Sequence, residues 1–301
     1  MWASRWTRTL VLVAVASVAL SDGDDEDELP ASDTGFPLHD AVNQNDLEGI
    51  ARVLGQLGTM SDDVRRQALD EADDNELTAL HMAGYMDHAD AAAALIAAGA
   101  ALETKVEGKE MTALHWAAAQ GSTSVIAVLI EAGADLDARD GANRTALHYT
   151  AARGHTEAAA TLIWSSEPAM LEALSDRGTT PLQLASETGH VAVIEALAAA
   201  GGNLAAAADD GAMSPLHVAA AMGHADAVSA LLGAGASVDP RDRRQRTPLA
   251  LAASYGQAEV TAVLLAAGAD ASAKDAAGQS AREAAGEHAE AAAAFDQHDE
   301  L

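Results

Sequence analysis

Short apolar stretches alternate with polar loops along most of this chain, and the alternation has a regular form. Residues 112–121 (TALHWAAAQG) begin with a residue suited to cap a helix and end with a glycine. The hydroxyl of Thr112 can accept a hydrogen bond from a backbone N–H left free in the first helical turn. Gly121 can adopt the left-handed conformation that ends many helices. The stretch therefore predicts one short helix with a defined start and stop.

The capping residue returns every 33 to 35 residues, which identifies an internal repeat. Most copies continue with Ala or Pro, then Leu and His, a glycine five or six residues later, a second apolar helix and a polar reversal rich in Gly and Asp. Such a unit is too small to bury its own apolar face, so neighbouring units must stack. The capping positions are Thr78, Thr112, Thr145, Thr180, Ser214, Thr247 and Ser280.

This repeated motif resembles the ankyrin repeat over residues 33–290. The resemblance implies an all-α fold with short β-hairpin turns, in which helix-turn-helix units stack into a solenoid. The predicted array spans residues 34–290: an amino-terminal capping repeat at 34–58, an insertion at 59–76, repeats at 77–273 and a carboxy-terminal cap at 274–290. The insertion is predicted to carry a short helix that Ser61 caps and that runs through Ala72.

Histidine recurs at two places in the repeat, at the start of the first helix and in the turn just after that helix. The resemblance assigns to the helix-start histidines a hydrogen bond that joins turn to helix, so they are interpreted as structural. These histidines are His39, His81, His115, His148 and His217. Gln183 and Ala250 replace this histidine in two repeats, and Asp87 replaces the helix-ending glycine in another, where a looser helix end is expected.

Both ends of the sequence carry features of a protein in the lumen of the endoplasmic reticulum. Arg5 and Arg8 precede an apolar run at 10–20 that is shorter than the roughly 20 residues of a membrane span, so residues 1–21 are predicted to be a secretory signal peptide. An uncleaved anchor is the alternative. Residues 22–33 form an acidic segment predicted to be disordered. The tail at 291–301 ends in the tetrapeptide His298, Asp299, Glu300 and Leu301, which matches a retrieval signal of this compartment. The match implies a retrieval receptor as partner. A chance match is the alternative.

Asn143 begins the sequence Asn-Arg-Thr, an acceptor motif for N-glycosylation in a luminal chain. Its threonine, Thr145, is also a predicted helix cap, and Asn143 lies in the adjacent turn. The sequence leaves open whether a glycan is attached.

The sequence predicts no catalytic residue, no cofactor and no metal site. Metalloprotease, nucleotide-binding and serine-hydrolase motifs are missing, and the chain has no cysteine. The formal net charge of −29 disfavours nucleic acid and anionic membrane as partners.

The resemblance places protein partners along the turn tips and the first helices of the repeats. The outward first-helix candidates are Tyr85, Met86, Gln120, Arg153, Met222 and Tyr255, whereas Trp116 and Tyr149 are expected to pack between repeats. The tip candidates are Arg241, Arg243, Arg244 and Arg246. This basic turn is either a solvated loop balancing nearby acids or a docking point for an acidic segment.

Three functions are compatible with these features. The leading hypothesis is a luminal scaffold or adaptor that binds an unidentified protein. The high negative charge suggests, as an alternative, a low-affinity calcium buffer. A second alternative is a non-catalytic subunit of a luminal enzyme. The oligomeric state is left open.

Overall fold

The computed structural model describes residues 36–106, 108–206, 213–286 and 288–299 of the 301-residue chain. Within these ranges the secondary structure is helical, with isolated β-bridges such as Ala72–Thr78 and Lys274–Ser280 between extended segments. The predicted hairpin turns are therefore tight reversals without strands. The chain divides into two compact units, Met1–Thr150 and Ala151–Leu301.

The first unit contains two rows of helices. The first helices of successive repeats pack side by side, as do the second helices. The first row contains α1 (Pro37–Asn43), α4 (Ala79–Met86) and α6 (Ala113–Gln120), and the second row contains α2 (Leu47–Leu57), α5 (Ala89–Ala98) and α7 (Thr123–Glu131). The short helix α3 (Asp62–Leu69) lies in the insertion, and α8 (Ala146–Arg153) begins in this unit.

The second unit repeats the arrangement. Its first-helix row contains α10 (Pro181–Thr188), α12 (Pro215–Met222), α14 (Pro248–Ser254) and α16 (Ala281–Ala285). Its second-helix row contains α9 (Thr156–Ser165), α11 (Val191–Ala199), α13 (Ala225–Gly233), α15 (Ala258–Ala266) and α17 (Ala289–Asp299). A 3-10 helix, Pro168–Glu172, follows α9. No helix among the described residues is long and apolar enough to cross a membrane.

The leucine of the repeated motif forms the core of each repeat. It is 2% exposed or less in six repeats (Leu80, Leu114, Leu147, Leu182, Leu216 and Leu249), and Leu38 of the capping repeat is 5% exposed. Burying one such side chain contributes about 1.5–3 kcal/mol to folding. The small residues beside it permit close helix packing. A Cβ atom on Gly84 of α4 would lie 2.9 Å from the carbonyl oxygen of Ala113 on α6.

Four of the helix-start histidines link their repeat to the next one. In one of these links, Nδ1 of His81 accepts from the backbone N–H of Thr78, so the proton sits on Nε2, which donates to the carbonyl of Met111 at 3.1 Å. The same link to the residue before the next cap joins His39 to Leu77, His115 to Arg144 and His217 to Arg246. Gln183 replaces the histidine with an amide that binds Met213 in the same way.

A second set of hydrogen bonds links the repeats at the other end of the first helices, in the opposite direction. His190 and His224 donate from Nε2 to the carbonyls of Ala152 and Glu187, and Gln257 reaches Ala221. The histidine ring lies over the preceding glycine turn, since a Cβ on Gly189 would be 2.7 Å from Nδ1 of His224. This glycine, at φ 76°, is thus required by the ring as well as by the backbone.

Three sequence-based expectations are corrected by the structure. The helix end at Asp87 is not looser, because Asp87 adopts the left-handed conformation (φ 56°) and the N–H of His88 closes on Ala83 at 3.0 Å. The insertion helix stops at Leu69 instead of Ala72, and the Ser61 hydroxyl makes no capping bond. The array does not end at residue 290, because α17 continues to Asp299 and buries Phe295 against the preceding repeat.

The hairpins share one strained position, which yields a prediction for stability. Gln245 has φ 60°, where the equivalent Gly178 and Gly278 have φ 71° and 82°. The left-handed conformation costs a residue with a side chain about 1–2 kcal/mol, and part of the gain on removing it is offset by the greater freedom of unfolded glycine. Gln245→Gly is expected to raise the free energy of unfolding by about 0.5–1 kcal/mol. Urea unfolding followed by circular dichroism measures it. Gly278→Ala should shift the midpoint the other way, and a lower midpoint for Gln245→Gly would contradict the assignment.

Candidate functional site

The first-helix candidates of the first unit are only partly exposed. Tyr85, Met86 and Gln120 are half-buried, and the ring of Tyr85 meets Trp116 edge-on at 6.0 Å between centroids. Trp116 is 4% exposed and Tyr149 is 3% exposed, which confirms that these two aromatic residues are packed. The first unit therefore offers a small, partly closed surface at these positions.

Tyr149 is held in a polar cluster at the base of a hairpin. Its hydroxyl donates to the carboxylate of Asp140 at 2.6 Å, and the guanidinium of Arg144 lies 4.6 Å above its ring. Arg144 also donates from Nε to Asp140 at 2.9 Å. Burial alone would raise the pKa of Asp140, but the bonds from Tyr149 and Arg144 outweigh it and lower that pKa below its ordinary value. The cluster is internally satisfied and fixes the hairpin.

The second unit presents two large side chains to solvent on neighbouring first helices. Met222, at the end of α12, is 51% exposed, and Tyr255, which follows α14, is 59% exposed. The helices α12 and α14 pack directly against each other. The expected exposure of Met222 and Tyr255 is confirmed, whereas Arg153 is half-buried.

The basic turn divides into inward and outward residues. Arg246 binds the buried carboxylate of Asp242 at 2.7 Å, the same contact that Arg144 makes with Asp140. Arg241 donates to the carbonyls of Gln245 and Lys274, at 2.6 and 2.8 Å, and so ties its hairpin to the next one. Arg246 is thus half-buried in an ion pair of its own hairpin, and its role in partner binding stays a prediction. Arg243 and Arg244 are exposed at the tip.

Sequence reasoning missed the structural use of the acidic residues. Asp140 and Asp242 each accept two backbone N–H groups of their own hairpin. The signal was present in the sequence, because in both hairpins the aspartate precedes an arginine by four residues and the capping threonine by five. A further series accepts a backbone N–H from the next repeat: Asp70 from Ala101, Glu103 from Asp135, Glu172 from Asn203, and Asp239 from Asp270. Some of the acidic side chains thus stabilise the fold by accepting backbone hydrogen bonds. In the described ranges no three His, Cys, Asp or Glu side chains form a group that could hold a metal ion.

The remaining predicted sites fall at the hairpin before α8 and at the two ends. Asn143 is exposed, and Thr145 is fully buried. His298 and Asp299 are exposed on the last turn of α17, where Asp299 pairs with Arg282. Glu300 and Leu301 lie outside the described residues, as do the predicted signal peptide at 1–21 and the acidic segment at 22–33.

Comparisons with known proteins agree with this geometry. The family model "Ankyrin repeats (3 copies)" matches residues 38–140, 137–208 and 203–275. Among solved structures, the ankyrin repeat domain of human ASB11 is similar, with a TM-score of 0.63 and 26% sequence identity over 73% of this chain and 96% of that chain. A comparison with curated protein sequences gave no match. Ankyrin repeats typically form non-catalytic scaffolds for protein–protein interaction. The family match covers most of the chain and shows that it belongs to the ankyrin-repeat family.

Proposed function

We propose that this protein is an adaptor of the endoplasmic reticulum lumen that binds one protein partner on the first-helix face of its second unit. The exposure of Met222 and Tyr255 on adjacent helices carries the proposal. Methionine and aromatic side chains are enriched at the centres of protein interfaces, where a few of them supply most of the binding energy. Other first-helix positions in the described residues are smaller, polar or partly buried.

The side chains on this face indicate which chemical groups the partner would present. Arg243 and Arg244 are exposed on the hairpin that precedes α14, and Tyr255 follows the same helix. The seven residues of α14 span about 10 Å at the helical rise of 1.5 Å per residue. A partner that contacts both ends of α14 would place an apolar group against Met222 and Tyr255 and a carboxylate beside the tip arginines, because the guanidinium group pairs with carboxylates in a forked geometry.

Two features support the luminal location. The amino-terminal apolar run has the length and basic flank of a signal peptide, and the last four residues match a retrieval signal. Protease protection of the chain in intact microsomes tests this location. Digestion of the whole chain before the membrane is opened would contradict it.

The partner surface is tested by comparing three baits on detergent-solubilised microsomes. Met222→Ala with Tyr255→Ala is expected to lose a partner that the unchanged chain retains, and Arg243→Glu with Arg244→Glu is expected to weaken its capture by repulsion of its carboxylates. Removal of a central contact residue typically costs 2 kcal/mol or more, about 30-fold in affinity.

A matched control uses Trp164, which is 89% exposed but lies on the second-helix row, at the end of α9. Trp164→Ala should retain the partner. If the partner binds all the baits equally, or is lost only with Trp164→Ala, the proposed face is wrong.

A further inference from the structure

The glycosylation motif at residues 143–145 has its two reactive residues in opposite environments. Asn143 is exposed on the tip of the hairpin that leads into α8. Thr145 is the residue before α8 and its exposure is 0%. The acceptor amide therefore faces solvent, while the hydroxyl that completes the motif is sealed inside the repeat.

The Thr145 hydroxyl is engaged in the folded chain. Its oxygen lies 2.9 Å from Nδ1 of His148, and that same nitrogen accepts the backbone N–H of Thr145 at 3.1 Å. The ring of His148 is 1% exposed. An enzyme that must recognise the threonine hydroxyl cannot reach it without separating Thr145 from His148.

The backbone of the motif is fixed as well. Asn143 has φ 60°, and its N–H donates to the carbonyl of Asp140 at 3.0 Å. The guanidinium of Arg139 donates to the Asn143 carbonyl, also at 3.0 Å. The N–H of Arg144 donates to the Asp140 carboxylate at 2.7 Å. An extended acceptor peptide would require all these bonds to break together.

We propose that Asn143 is an N-glycosylation site that is open only before its repeat folds, and that pairing of Thr145 with His148 closes it. This proposal rests on the luminal location. The donor is a polyprenyl-diphosphate-linked oligosaccharide. The amide nitrogen of Asn143 forms a bond to the anomeric carbon, the bond from that carbon to the diphosphate oxygen breaks, the diphosphate leaves with the electron pair, and the amide loses one proton.

Occupancy of Asn143 is thus set by competition between glycan transfer and closure of the hairpin. A chain that receives the glycan still folds, because the Asn143 side chain is exposed and none of the bonds above uses its amide group. A chain that folds first is no longer an acceptor. The glycosylated and unglycosylated forms are then two stable products of one sequence.

Translation of the full chain with microsomes tests the competition, with endoglycosidase mobility shift as the readout. His148→Ala opens the cap and is expected to raise Asn143 occupancy at least twofold. His148→Gln should behave like the unchanged chain, because Gln183 already makes the equivalent bond to Thr180 at 2.9 Å. His217→Ala opens the same type of cap in the second unit, next to Ser214, and should leave Asn143 occupancy unchanged.

An additional acceptor motif, appended in a flexible tail, reports entry into the lumen independently. If the tail is modified and Asn143 is not in any variant, Asn143 is not a site. Equal occupancy in the unchanged chain and His148→Ala, or an equal rise in His217→Ala, would overturn the role of the cap. If neither motif is modified, the luminal location fails, and the site fails with it.

Discussion

Lowering the pH from 7.5 to 4.5 is expected to destabilise the array through its buried histidines. Desolvation by burial lowers the pKa of His81 from 6.5 to about 4, against the opposing hydrogen bond to Met111. His39, His115 and His217 have lowered pKa values as well, with burial as the largest cause. In this pH range the unfolded chain binds more protons than the folded chain does. The free energy of unfolding therefore decreases as the pH is lowered. His81 alone accounts for up to about 3 kcal/mol.

The sign and the window follow from the direction of these shifts. The histidine contribution is fully present above the unfolded pKa near 6.5 and is lost as the pH falls towards the folded pKa of about 4. Asp140, whose pKa is also lowered, loses its contribution only below its unfolded pKa of 3.8, so it does not explain a change at pH 5.

Urea unfolding at a series of pH values, with His81→Gln as the control, isolates the effect. The glutamine keeps both hydrogen bonds, as Gln183 does, but it does not titrate. The variant should therefore lose less stability than the unchanged chain between pH 7 and pH 4.5. Parallel curves for the two proteins would exclude a contribution from His81.

Two glycine-to-alanine substitutions are expected to change stability in opposite directions. Gly84 lies within α4, where a Cβ would be 2.9 Å from the Ala113 carbonyl and 3.4 Å from the Ala117 backbone nitrogen. These are backbone atoms of the neighbouring repeat, so the helices must move apart. Gly84→Ala is expected to reduce the free energy of unfolding by about 1–3 kcal/mol despite the better helix propensity of alanine.

Gly55 is the matched control, because it lies within α2 and a Cβ there would meet nothing within 4 Å. Gly55→Ala should raise the free energy of unfolding by about 0.5–1 kcal/mol through helix propensity alone. Differential scanning calorimetry of the two variants and the unchanged chain measures both changes in stability. A stabilising Gly84→Ala would show that α4 and α6 are not in close backbone contact.

The repeat and its caps could be predicted because each depends on local chemistry. Thr78 and Thr180 are followed three residues later by His81 and Gln183, and the structure forms a capping box at each pair. A capping box involves residues within one turn, so its signal lies within a few letters of the sequence. The repetition of that local signal then determined the stacking.

The four arginines predicted to bind a partner could not be told apart from the sequence alone, because basic residues in one short loop look alike. The structure distinguishes them by what lies in the next repeat and beneath the turn. Arg241 reaches the Lys274 carbonyl, 33 residues away, and Arg246 covers the buried carboxylate of Asp242. The contact of Arg241 crosses to the next repeat and has no local pattern, whereas the four-residue spacing of Asp242 and Arg246 is visible in the sequence. Arg243 and Arg244 are exposed at the tip of the turn.

The end of the array was missed for a related reason. Residues 289–299 are rich in alanine and acidic residues, and the polar composition suggested a tail. However, Ala291, Ala294 and Phe295 recur at helical spacing and are buried against the preceding repeat. With only one large apolar side chain, the stripe is too weak to predict a packed helix by periodicity. The packing of α17 against α15 stabilises this last helix, although the sequence pattern does not predict it.

The links between repeats have a consequence for how such an array can change in length. In five repeats a first-helix side chain donates to the carbonyl just before the next cap, as His39 does to Leu77 and His81 to Met111, whereas Ala250 offers no donor. Repeats of this type thus carry the same hydrogen-bond donor on one side and the same acceptor carbonyl on the other. Duplication or loss of one whole period would join a matching donor and acceptor, so the gene could gain or lose repeats without inventing a new interface.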